Sequence, residues 1–530
     1  MTFGIRGLNR LVIFDAILLF GLLGMTARNA IDPDLWWHLR TGQLIVETGK
    51  VPHFDPFSFT RGGRAWVSHE WLSDVLFYEL WKHGGPAALI LFSAIITTAG
   101  FMLLYLRCPA QKHWAAAATA FGALASAPAW GVRPQMFTFT MASLLLWLVE
   151  AGENRPKLLF WIPPLFLLWL NLHAGFALGP TLLLAYAIGL FWEVSVANTL
   201  WQEVRPLLIR VGLLLVACLA LVPVNPSGTQ LFRYPFDTLR SAEMRSFITE
   251  WFSPDFHRWL YSPFLLVWLL VLTVLATSRV RPKGRVIVPL LLTAFASLDA
   301  VRHIPIFILV AMPVIAAALP VASAPSLGSE RRLASSRFRP LFNTAVVILI
   351  ATFALAKWVV LVRNQGAREA ERYPLAAIDS LRSKDRPQKL FVYYDWGGYA
   401  LWKLYPEYRV FVDGRADLYG DDLLRQAIRI VPNLRTGWRE VLDSWNVETV
   451  LVPPSSALAQ ALLIDRGWQA VFQDSQALIF ERKPGGAENT GDLQRVTSQP
   501  ILTVNRKKVK KCFPDRFPIC ETMNQYIAAS

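Results

Sequence analysis

The chain is laid out as long apolar runs separated by polar stretches. An apolar run of about 17–25 residues crosses a ~30 Å hydrocarbon core, and about eleven are readable, at 11–27, 86–106, 114–131, 134–149, 158–172, 174–192, 207–224, 262–278, 286–300, 303–322 and 340–362. No small-residue cleavage site follows the first run, which predicts a retained helix rather than a signal peptide. From about residue 363 the pattern changes. Short β-rich runs at 390–394, 409–413, 449–453, 470–472 and 477–480 alternate with helical stretches near 421–430, 435–445 and 455–466. That alternation predicts a small α/β domain with a mainly parallel sheet. The expected fold class is therefore a polytopic α-helical membrane protein carrying a C-terminal α/β domain. Its parts are a membrane domain at 1–362 with a polar insert at 28–85, a soluble domain at 363–484, and a disordered tail at 485–530 containing the basic run Arg506–Lys511.

The insert is long for a loop between membrane helices, and long loops tend to be functional. It reads as a helix over 35–47 capped by Asp34, with Trp37, Thr41, Leu44 and Ile45 forming an apolar stripe suited to the membrane interface. Turns follow at Asp55-Pro56-Phe57-Ser58 and Gly62-Gly63, then a second amphipathic helix over 68–83. The stretch 225–261 is aromatic and expected along the membrane surface. Gly397-Gly398, after the first predicted strand, reads as tight strand–helix packing in preference to a phosphate loop.

Composition agrees with a membrane protein: 54% of residues are hydrophobic and only 17% charged, with a mean hydropathy of +0.36. The excess of 53 Lys+Arg over 38 Asp+Glu suggests nucleic acid until its distribution is considered. The basic clusters fall in alternate loops, at Arg6 and Arg10, Arg107 and Lys112, Arg155 and Lys157, Arg205 and Arg210, 279–285 and 331–339. Cytoplasmic loops carry such an excess, so the charge is a topology signal and no nucleic-acid partner is expected. The N-terminus is then cytoplasmic, with the insert, Arg133, the turn at His173, the loop 225–261, Arg302, His303 and the C-terminal domain on the outer face. Of four cysteines, Cys108 and Cys218 read as packing residues, and Cys512 and Cys520 are close enough in sequence for a small disulfide loop.

The chemistry-bearing residues gather on that outer face. Asp32 and Asp34 follow the first span directly, where a charged group marks a functional site by default. Their oxygens suit Mg²⁺ or Mn²⁺, or one of them suits a general base; the bland alternative is a cap and a turn residue. His38 lies one helical turn beyond Asp34 and can share its side. Glu70, with His69 and Asp74, forms a second acidic face, and His173 interrupts an apolar run. Arg133, Arg302 and His303 sit at the ends of spans, where an arginine can fork onto a lipid phosphate or simply snorkel.

These features carry a resemblance. Asp32-Pro33-Asp34-Leu35-Trp36-Trp37-His38, Pro52–Ser58, His69-Glu70-Trp71-Leu72, Asn171-Leu172-His173, Asn225-Pro226-Ser227-Gly228, Glu250-Trp251, Arg302-His303-Ile304-Pro305 and Tyr394–Tyr399 resemble bacterial members of the GT-C superfamily, polytopic glycosyltransferases that use polyprenyl-phosphate sugar donors. The similarity covers about 1–484. It implies an inner-membrane enzyme moving a hexosyl or pentosyl group from such a donor to a cell-envelope glycan, lipid or protein, with inversion. Asp32 and Asp34 would act as base or metal ligands, Arg133, Arg302 and His303 would hold the donor phosphate, and His38, Glu70 and His173 would support them. The alternatives left open are a non-catalytic envelope-assembly protein and a transporter of lipid-linked glycans. Apart from Asp15, the spans lack the buried acids a transporter would want.

Overall fold

A computed structural model describes residues 10–196, 199–278, 282–319, 338–381, 388–434 and 437–483. The tail, with its basic run, Cys512 and Cys520, lies outside the described residues. Helices α1 (Arg10–Thr26), α2 (Leu35–Thr48), α3 (Trp71–Arg107), α4 (Lys112–Ser126), α5 (Gln135–Asn154), α6 (Ile162–Leu172), α7 (Leu178–Ser195), α8 (Trp201–Leu221), α9 (Tyr234–Arg240), α10 (Ala242–Phe247), α11 (Ser262–Thr277), α12 (Gly284–Asp299), α13 (Ile304–Ala317) and α14 (Phe338–Arg372) precede the sheet. Each apolar run of the sequence falls on one of them, as far as it is described. Among the described residues, six stretches are long and apolar enough to cross a membrane: Trp71–Arg107, Gln135–Asn154, Ala174–Ser195, Trp201–Val224, Trp259–Thr277 and Leu341–Arg372. The chain is thus read as a multi-pass membrane protein. Cys108 and Cys218 are free and buried, as expected of packing residues.

The insert departs from its expected form. Its second helix does not stop at 83 but runs on as α3, kinked where Gly85 takes φ 57° just before Pro86. Its first helix, α2, does not lie in the interface. Trp36 and Leu39 are fully buried, and α2 crosses α3 so closely that a Cβ on Gly42 would meet the Asp74 carbonyl at 2.0 Å. Trp36 stands edge-on to Trp81, Tyr373 and Tyr399. Asp34 occupies the N-cap position of α2 but makes no side-chain capping bond. Residues 225–261 form short helices, of which α10 packs on the C-terminal domain.

After α15 (Leu375–Leu381), that domain runs β1 (Gln388–Val392), α16 (Gly397–Leu404), β2 (Tyr408–Val410), α17 (Ala416–Ile430), α18 (Trp438–Ser444), β3 (Thr449–Val452), α19 (Ala457–Ile464), β4 (Trp468–Gln473) and β5 (Leu478–Arg482). The strand order is β2-β1-β3-β5-β4. β1 is parallel to β2 and β3, whereas β5 is antiparallel to β3 and β4. The sheet is therefore mixed rather than mainly parallel. The reason is the connection: β4 and β5 are joined by a tight turn in which Asp474 accepts the N–H groups of Gln476 and Ala477, and a hairpin must be antiparallel.

The insert and this domain share one core. Ser58 pairs with Val410 beside the β2 edge, and the Thr60 hydroxyl donates to the Phe411 carbonyl at 2.6 Å. Arg415, 1% exposed, donates to Asp55 at 2.8 Å and forks onto Asp413 at 2.8 and 2.6 Å. Its guanidinium stacks over Trp66 and Phe57. Asp55, read from sequence as a turn residue, does form the turn through the N–H groups of Phe57 and Ser58. It also locks the turn to the distant strand.

Removing one partner of a buried ion pair leaves an uncompensated charge and costs about 3–5 kcal/mol. Arg415→Met should therefore lower the thermal unfolding midpoint of the detergent-purified protein markedly. Arg368→Met, which breaks an exposed pair with Glu371, should shift it little, since such pairs contribute about 0–1 kcal/mol.

Candidate functional site

The segment between α1 and α2 is held in place by α14. The Gln365 side chain accepts the Ala30 N–H at 3.0 Å and donates to the Ala30 carbonyl at 2.7 Å, as a neighbouring strand would. Tyr373 donates to the Ile31 carbonyl. Asp32 then closes its own turn, one oxygen accepting the Asp34 N–H at 3.0 Å.

On this fixed loop the two acids meet Arg133. Its Nε is 3.0 Å from Asp32, Nη2 is 3.2 Å from Asp34, and Nη1 is 2.7 Å from Glu250. Three carboxyl groups thus converge on one guanidinium. Gln135 donates to Glu250 and keeps it aligned. From the other side the C-terminal domain reaches the same point: a Cβ on Gly414 would strike the Asp34 carboxylate, so only glycine permits that approach. A Cβ on Gly398 would likewise run into the Pro33 carbonyl at 2.6 Å. Close packing is the use of the Gly397-Gly398 pair.

The environments drive the carboxyl pKa values apart. Burial, and next the charge of Asp32, push Asp34 up to about 8. Burial raises Asp32 too, against the opposing pull of Arg133. Burial also works against charge on Glu250, but Arg133 and Arg302 overcome it and hold that group down at about 2. Titratable neighbours separated in this way mark candidate acid and base assignments. Asp34 is also the most open of the three, with 30% of its side chain exposed against 17% for Asp32 and 21% for Glu250.

Arg302 stands nearby in a different condition. It lies over the Trp251 ring at 4.3 Å and, among the described residues, has no ion-pair partner. His303 packs edge-on against the same ring, and its Nδ1 donates to the Ala296 carbonyl. The expected phosphate-binding residues are therefore not alike: Arg133 pairs directly with three acids, whereas Arg302 has no direct ion pair among the described residues and acts on Glu250 only through space.

A second cluster forms around Glu70, which is buried rather than on a solvated face. His173 accepts at Nδ1 from Gly175 N–H and from Thr138, whose hydroxyl is oriented by Trp169. Its Nε2–H is then left to donate to Glu70 at 3.3 Å. His69 gives its Nδ1–H to the Val67 carbonyl and turns Nε2 to Glu70 at 3.2 Å. Burial opposes charge on both members of this pair, yet their mutual attraction raises His69 and lowers Glu70. His38, which could have oriented Asp34 or made a structural hydrogen bond, does the latter. Its Nδ1 pairs with Asp74 at 2.6 Å, its Nε2 faces Glu70 at 3.5 Å, and burial depresses it to about 3. These residues knit the insert to α3 and the α6 end.

Among the described residues, no three His, Cys, Asp or Glu side chains are arranged to hold a metal ion. Where Asp32 and Asp34 were expected to hold Mg²⁺ or Mn²⁺, the Arg133 guanidinium lies between them and supplies the positive charge. That arrangement does not fit a metal held by this pair. Glu250, Gln365 and Arg415 were not singled out as site residues. Glu250 stood in the Glu250-Trp251 motif, but only folding shows that it shares Arg133.

No protein-family model and no curated protein matches the sequence. Its fold does have solved counterparts. It is similar to the oligosaccharyltransferase AglB of Archaeoglobus fulgidus, solved with an inhibitory peptide and a dolichol-phosphate: TM-score 0.51 and 10% identity over 83% of this chain and 69% of that one. ArnT from Cupriavidus metallidurans bound to undecaprenyl phosphate aligns over 90% of this chain and 98% of its own at 16% identity, with a looser TM-score of 0.47. At 10% identity the first likeness establishes architecture alone. The chain therefore shares the fold of that oligosaccharyltransferase.

Proposed function

We propose that this protein is a membrane glycosyltransferase that moves a sugar from a polyprenyl-phosphate donor to a hydroxyl of a cell-envelope acceptor. The observation that carries the reading is Asp34: a part-exposed carboxyl, raised to about 8, that shares the Arg133 guanidinium with Glu250, an acid which Arg302 also holds ionised. A base with such a pKa has the basicity to take a hydroxyl proton near neutral pH. The dolichol-phosphate seen with the similar oligosaccharyltransferase supports a polyprenyl-phosphate donor here.

In this mechanism Asp34 removes the acceptor hydroxyl proton as its oxygen attacks the anomeric carbon, opposite the phosphate. The bond from that carbon to the phosphate oxygen breaks, and the lipid phosphate departs with the electron pair. Arg302, beside His303, meets the developing charge. Preorganised donors in a water-poor site contribute heavily to such a step. Asp32, Arg133 and Glu250 fix Asp34 and set its basicity, and the proton leaves Asp34 to water between turnovers. His38, Glu70 and His173 brace the insert that carries the base.

Asp34→Asn should reduce transfer about 10²–10⁴-fold, the usual contribution of a general base, with unchanged folding, because Asp34 makes no capping bond. The assay is transfer from a panel of polyprenyl-phosphate sugars by the purified protein. Normal transfer by the variant removes Asp34 from the chemistry, and a parent protein that turns over no donor favours a non-catalytic assembly role.

The pH profile gives an independent check. Below about 8, Asp34 is increasingly protonated and cannot accept a proton, so kcat/KM should fall roughly tenfold per pH unit on the acid side and level off above. Asp32→Asn removes a repelling charge, so Asp34 becomes more acidic and the limb should move to lower pH.

The proposed location is the inner membrane, with the N-terminus cytoplasmic and the α/β domain outside. Reporter fusions after Lys283 should report cytoplasm, and fusions after Ser253 or Lys483 the outer side. A cytoplasmic signal from Lys483 overturns that orientation.

A further inference from the structure

Where α1 meets α14, away from the acids, two cations share one oxygen. Arg28 donates to the Met25 carbonyl at 2.9 Å, and the Lys357 ammonium reaches the same carbonyl at 3.4 Å and the Gly24 carbonyl at 2.6 Å. Both side chains are half-buried, and neither is ion-paired among the described residues. The bland reading is that they cap the last turn of α1. A helix C-terminus, however, offers only about half an elementary negative charge, against two full positive charges held close together. The pair lacks a counter-charge.

The surroundings say where one would come from. Lys357 is the only charged residue between Leu341 and Leu361 of α14, and an ionisable residue in such a segment calls for a named partner. Phe353, Leu349 and Phe342 are spaced to share its face of the helix, and they are 69, 69 and 70% exposed. In a membrane-spanning helix such an exposed apolar face is suited to lipid. Two tryptophans flank the cations: Arg28 lies over the Trp130 ring at 5.4 Å, and Trp358 follows Lys357 and donates to the Ala87 carbonyl. We propose that Arg28 and Lys357 bind the phosphate headgroup of an anionic membrane lipid whose tail lies along the Phe353–Leu349 face of α14. The site borders the loop that Gln365 holds, since Asn29 donates to the Leu361 carbonyl and to Gln365. It does not depend on the proposed transferase activity.

The test measures lipid retention, not turnover. The full chain is placed in nanodiscs of phosphatidylcholine doped with phosphatidylglycerol or with undecaprenyl phosphate, and co-purifying lipid is counted by native mass spectrometry. Each Lys or Arg at a headgroup contributes roughly fivefold in affinity, so Arg28→Gln with Lys357→Gln should weaken retention of the anionic lipid roughly 30-fold. Lys357→Arg, which keeps the charge, should retain most of it and guards against a mere folding defect. Preference for phosphatidylglycerol identifies a bulk phospholipid as the occupant. Preference for undecaprenyl phosphate identifies a lipid of the donor's class. Equal retention by parent and double variant, or retention of phosphatidylcholine as strong as that of either anionic lipid, overturns the proposal.

Discussion

The buried fork of Arg415 onto Asp55 and Asp413 is the constraint on which the rest of the molecule depends. It joins a turn in the first polar insert to a strand end some 360 residues later, so the insert cannot move independently of the C-terminal domain. Buried charges of this kind seldom add net stability over a well-packed apolar core. Their effect here is on register. A guanidinium with two carboxylates and two aromatic faces around it satisfies its donors in one arrangement, and that arrangement lays the Asp413-Gly414-Arg415 backbone against Asp34. The geometry of the candidate site follows from an ion pair that is not itself part of it.

Two arginines at the site illustrate how surroundings, rather than residue type, set what a side chain can do. Arg133 pairs directly with three carboxyl groups, while Arg302 rests on an aromatic ring and acts on Glu250 only through space. An incoming anion would be repelled by the acids around the first and attracted by the second. The same logic separates the acids. Glu250 is held ionised by two guanidinium groups, and Asp34, sharing one of them with two competitors, is left basic.

Much of this was legible in the sequence. Apolar runs map onto helices because span length is fixed by the bilayer, and the β-rich runs map onto strands within a few residues. Asp32, Asp34 and Arg133 come together, as do His38, Glu70 and His173. What was not legible depends on tertiary contact. The stripe of α2 looked interfacial because periodicity reports an apolar face without saying whether lipid or protein covers it. Sheet direction at β4–β5 turned on a single Asp474 turn. His38 chose Asp74 over Asp34, although both are within reach of one face, because the close crossing of α2 and α3 at Gly42 brings Asp74 nearer.

The long helix α14 connects these levels. One side of it, at Lys357, reaches the last turn of α1. A little further on, Gln365 binds the backbone of Ala30 on both sides, and Tyr373, just past its end, fixes Ile31 and stacks on Tyr399 of α16. A membrane helix, the acid-bearing loop and the soluble domain are therefore set by successive residues on one element. The acids sit in a site whose geometry is tied both to α14 and, through Arg415, to the sheet.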